Sequence, residues 1–135
     1  SERQLSKTKP KVYPIDPVHR STIEAFGAEL STLEPIGAVV RGLELAKGVP
    51  PPDHVLFALE QIMANLGFIV FKSQRPLAEE HFLQASCWWG GKALHSTHGV
   101  HPATPKGNPH IFRLSNDENE GILGVGPQWH NDGSF

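Results

Sequence analysis

His130 and Asp132 stand two residues apart in the block Trp129-His130-Asn131-Asp132-Gly133-Ser134-Phe135. On an extended strand the side chains at i and i+2 leave the same face, so an imidazole nitrogen and a carboxylate oxygen can close on one ion. That donor pair supplies two of the three ligands of the 2-His-1-carboxylate facial triad, which holds non-haem Fe(II) and keeps positions open. The third ligand should be a second His, and none follows Asp132 in these residues. Trp129 sets a flat apolar group beside the pair, where it can wall one side of a site. Gly133-Ser134 lets the chain turn away directly after the carboxylate. The bare triplet also reads as an ordinary strand end, with a surface His and a turn Asp before Gly133.

The remaining candidate ligands concentrate upstream, at His95, His98 and His101, with His110 just beyond. Spacing of three could place His95 and His98 on one helical face, as a zinc pair needs. Gly90-Gly91 before them and Gly99, Pro102, Pro105 and Gly107 after them favour a loop, and no cysteine accompanies them. The single cysteine, Cys87, falls in an expected helix and reads as a buried, inert thiol. One cysteine excludes an internal disulfide framework and fits a reducing compartment or indifference to one; the compartment is unknown from sequence, with the cytoplasm as the default. Gly124-x-Gly126 lacks both the third glycine and the helix of a dinucleotide fingerprint.

The 135 residues are 39% hydrophobic and 19% charged, which suits one globular domain, or part of one, rather than wholesale disorder. A formal net charge of −2 implies neither nucleic acid nor an anionic membrane surface as a partner. No apolar run approaches the roughly 18 residues of a membrane span. The first residue is Ser1 and no secretory apolar segment follows it, so the start is expected to be a processing or cloning boundary or the edge of a longer chain.

Positioning the candidate ligands falls to the elements before them. Residues 1–35 read as an extended lead-in, mildly basic and interrupted by Pro10, Pro14 and Pro17. Within it Ile23, Phe26 and Leu30 have roughly helical spacing, broken by Gly27. Residues 36–45 read as a strand with a glycine bend, closed by Gly48 and Pro50-Pro51-Pro52. Asp53 is then the expected N-cap of a helix whose apolar stripe is Val55, Leu56, Leu59, Ile62, Met63 and Leu66, with Gly67 as its C′ residue and His54 facing solvent. Phe68-Ile69-Val70-Phe71 reads as a buried strand. A second helix is expected over 78–89, with Glu79 and Glu80 in its first turn, Phe82, Ala85 and Trp89 facing inward and His81 on the surface. Ile111-Phe112-Arg113-Leu114 alternates as a strand does, and residues 115–121 form a polar turn.

Four stretches, in this order, resemble the N-terminal half of the taurine dioxygenase (TauD/TfdA) family of Fe(II)- and 2-oxoglutarate-dependent dioxygenases. Residues 36–45 look like the family's opening strand. Residues 66–74, followed by Leu77-Ala78-Glu79-Glu80-His81, are similar to its strand–loop–helix signature. His101-Pro102 with Ile111 to Asp117 resembles the segment before the metal strand, and residues 129–135 resemble the His-x-Asp block. The resemblance spans about residues 36–135. It implies an α+β chain forming the N-terminal part of a double-stranded β-helix (jelly-roll, clavaminate synthase-like) domain, incomplete within these residues.

The resemblance also implies Fe(II) as cofactor and 2-oxoglutarate as co-substrate, with His130 and Asp132 as metal ligands. His101 would contact the anionic group of a small organic substrate, and O₂ would complete the reaction. The positions that in the taurine branch hold an aromatic residue and an Asn hold Thr104 and Gly126 here, which argues against taurine itself. In the family a distal His ligand and an Arg for the far carboxylate of 2-oxoglutarate lie after the His-x-Asp block. These 135 residues alone are therefore expected to be inactive. Two alternatives stand beside this reading. One is a non-catalytic, truncated homologue. The other is a histidine-rich metal-binding module built on His95, His98, His101 and His130.

Overall fold

The computed structural model describes residues 13–90, 110, 111, 114–117, 119 and 129. The chain divides into two compact units between Trp89 and Gly90. In the first unit the order is helix α1 (Pro17–Ala25), strand β1 (Glu29–Thr32), strand β2 (Ala38–Arg41), a 3₁₀ turn (Leu45–Lys47), helix α2 (Asp53–Leu66), strand β3 (Ile69–Phe71) and helix α3 (Glu79–Ser86). Among the described residues no helix is long and apolar enough to cross a membrane.

The first of these elements lies where the sequence reads as an extended lead-in, and the structure corrects that reading. Asp16 caps α1, its carboxylate accepting from the Val18 N–H at 2.8 Å, and Pro17 occupies the first helical turn. There the missing N–H of a proline costs nothing and its fixed φ favours the helix. Gly27 does not interrupt a pattern but ends the helix. It takes φ +94°, its N–H bonds to the Glu24 carbonyl, and the Ala28 N–H bonds to the Ile23 carbonyl. This is the paired closure of a Schellman motif. Ile23 is fully buried and Leu30 nearly so, so this segment contributes to the core. Arg20 ties its two parts together, donating to the Leu30 carbonyl at 2.9 Å and pairing with Glu24 at 3.2 Å.

The three strands form one mixed sheet in the order β1-β2-β3. β1 runs antiparallel to β2, with Leu30 opposite Val40 and Thr32 opposite Ala38. β2 and β3 are parallel, Ala38 facing Ile69 and Val40 facing Phe71, with α2 in the connection between them. Parallel neighbours require such a crossover. Ala38, Val39 and Val40 are all buried, as the continuous apolar run of a central strand demands. Residues 69–71 are only half-buried, against the expectation of a buried strand. β3 is the outer strand of the described sheet, so burial reaches it from one side only.

α2 is the helix its apolar spacing predicts. Val55, Ala58, Leu59, Ile62 and Leu66 are buried along one stripe, Leu56 and Met63 flank it half-buried, and His54 is exposed. The start shifts by one residue from expectation. Pro52, not Asp53, is the N-cap, and its carbonyl already accepts from the Val55 and Leu56 N–H groups. Asp53 sits in the first turn, where its charge still favours the helix dipole. Gly67 closes the helix, donating to the Met63 carbonyl. The stripe joins Ile15, Ile23, Ala28, Leu30, Ala38, Val40 and Leu43 in one core, with Leu45, Ile69, Phe71 and Trp88 packed on its margin.

α3 is shorter than expected and contains no fully buried residue. Phe82 is half exposed, and it is Trp88 rather than Trp89 that reaches the core. Trp89 instead donates its indole N–H to the Leu56 carbonyl at 3.1 Å. His81 is half-buried rather than on the open surface, resting with Gln84 on the 3₁₀ turn at Gly48. Cys87 is half-buried at the C-cap of α3. In the second unit the described part of the polar turn is held by side-chain caps. The Asp117 N–H donates to Ser115 Oγ at 3.0 Å, and the Asn119 N–H donates to Asp117 Oδ1 at 2.9 Å.

Candidate functional site

In the first unit the carboxyl ends of the parallel strands β2 and β3 lie side by side. The backbones leave those strands together, the Lys72 N–H donating to the Val40 carbonyl at 2.9 Å. Gln74 then binds the two exits to each other. Its Nε2 donates to the Leu43 carbonyl at 2.9 Å and to the Lys72 carbonyl at 3.1 Å, while its Oε1 accepts from the Leu45 N–H at 2.9 Å. A primary amide is suited to this because it donates and accepts at once. Outside this clamp Arg75 Nε donates to Glu44 Oε1 at 2.6 Å. That bond, with the positive charges of Arg75 and Lys47, holds the Glu44 carboxyl below its ordinary range against a smaller opposing effect of burial. The same contact raises the Arg75 guanidinium. Residues 36–45 and 66–74 are thus neighbours in space, joined by strand pairing and by Gln74.

An open groove of about 680 Å³ lies on another face, lined by Pro17, Val18, Ser21, Thr22, Ala25, Phe26 and His54. It contains no carboxylate and no guanidinium, so it offers apolar contact, the hydroxyls of Ser21 and Thr22 and one imidazole. No lysine or arginine lines it to pair with a dianion such as 2-oxoglutarate.

His19 packs edge-on against Phe57 with ring centroids 6.0 Å apart, His54 borders the groove, His81 lies on the 3₁₀ turn, and His110 is exposed in the second unit. Among the described residues no group of three or more His, Cys, Asp or Glu could hold a metal ion. The ligands expected from sequence, His130 and Asp132, lie outside the described residues. So do the substrate contact expected at His101 and the loop histidines His95 and His98. Trp129, expected to wall the site, is described and is fully exposed to solvent.

Two features of this region were not foreseen from sequence. Gln74 carries no local signal for the clamp, because two of its three partners lie 29 and 31 residues away. The indole N–H of Trp88 is buried without a partner among the described residues, and a tryptophan in an apolar stretch gives no warning of that. Compared with models of known families, with curated proteins and with solved structures, the chain finds no match.

Proposed function

We propose that this chain carries the His130/Asp132 half of the metal centre of an Fe(II)- and 2-oxoglutarate-dependent dioxygenase of the TauD/TfdA type, which hydroxylates a small anionic organic substrate. The observation behind the proposal is the His-x-Asp block at 129–135, standing in order behind three further stretches that resemble the same family. The pairing of two of those stretches as adjacent parallel strands, clamped by Gln74, supports the reading, because a shared scaffold element would keep them together.

The donor set fits ferrous iron. A neutral imidazole nitrogen and an anionic carboxylate oxygen are the ligand types of the facial triad, which leaves one protein position for a second histidine. When bound, iron with 2-oxoglutarate and O₂ supplies the oxidising power that converts a C–H bond to C–OH, with release of succinate and CO₂. The protein's own tasks are simpler. His130 and Asp132 would hold the metal, and His101 would orient the substrate through its anionic group.

Cobalt(II), a spectroscopic stand-in for Fe(II), provides the test on the 135-residue chain. Two ligands should bind it weakly, with a visible absorption change that disappears in His130→Ala and in Asp132→Ala and persists in the double variant His95→Ala/His98→Ala. Loss of the signal only in the double variant would refute the proposal and favour a histidine-rich metal module. Absence of any cobalt signal at millimolar metal would also overturn it.

A further inference from the structure

We draw no further inference here: the strongest candidate, the open apolar groove between α1 and the first turn of α2 with Val18, Phe26 and His54 at its rim, carries nothing because nothing in the structure shows what covers it.

Discussion

Gly37 is the position at which a single methyl group should do most damage. It takes φ +100°, and a Cβ built on it would stand 2.5 Å from Cζ and 2.6 Å from Cε2 of Phe68. Its N–H donates to the Leu66 carbonyl at 2.8 Å, and the next N–H, of Ala38, donates to the Phe68 carbonyl at 3.0 Å. Gly37→Ala therefore perturbs the place where β2 and β3 begin to pair. A side chain held at such a φ costs about 1–3 kcal/mol. Phe68 is 40% exposed, so its ring can swing outward, and the steric part should stay near the lower end of the ~1–3 kcal/mol typical of overpacking. Together these give a loss of about 2–4 kcal/mol, which at an m-value of about 2 kcal/mol/M lowers the urea midpoint by roughly 1–2 M. Urea unfolding followed by tryptophan fluorescence would measure it, since Trp88 packs on the core margin. Phe68→Ala alone should cost about 1–2 kcal/mol, below the range for a fully buried phenylalanine. In that background Gly37→Ala meets no ring, so the double variant should be less destabilised than the sum by about 1 kcal/mol. A loss below about 0.5 kcal/mol for Gly37→Ala, or strict additivity, would refute the reasoning.

Three further outcomes are expected. Gln74→Ala should cost about 1.5–4.5 kcal/mol, from three bonds each contributing about 0.5–1.5 kcal/mol net, and should expose the Leu45 amide to hydrogen exchange. Gln74→Glu should be at least as damaging at neutral pH, because a carboxylate would face the Leu43 and Lys72 carbonyls, and should recover in acid; wild-type stability at neutral pH would contradict the clamp. Asp16→Ala should cost about 0.5–2 kcal/mol in thermal unfolding, and Asp16→Asn, which keeps the acceptor for Val18, should restore most of it; equal losses would show that capping geometry is not the cause. Glu44 has its folded pKa depressed by Arg75, so its contribution is present above the ordinary carboxylate range and fades as pH falls through the folded value. The gap in melting temperature between wild type and Glu44→Gln should therefore close in acid, and a gap constant across that range would rule the ion pair out as its source.

How legible each element was depended on how local its determinants are. α2 could be read because the spacing of Val55, Leu59, Ile62 and Leu66 and the glycine behind them are contained in fifteen consecutive residues. α1 was equally well signalled, by Asp16-Pro17 at one end and Gly27 at the other, but three prolines in the first seventeen residues suggested an extended chain. The error lay in treating Pro17 as a breaker when at the first helical turn it is a starter. The half-exposure of β3 and of Phe82 was not legible. An apolar run announces that a strand or helix can be buried, while the neighbours that bury it come from elsewhere in the chain.

The candidate site divides in the same way. Residue types and the i, i+2 spacing of His130 and Asp132 suggest metal ligation from the sequence alone, because ligand preference is a property of the side chains themselves; both residues lie outside the described ones. The sequence also placed α2 and the segment that becomes β3 in order along the chain. Only the tertiary structure decided that β2 and β3 lie parallel and in contact, that α1 belongs to the core, and that Gln74 joins strand exits about thirty residues apart. Those outcomes rest on long-range burial and on hydrogen bonds between distant backbone groups, which no local pattern of residues encodes.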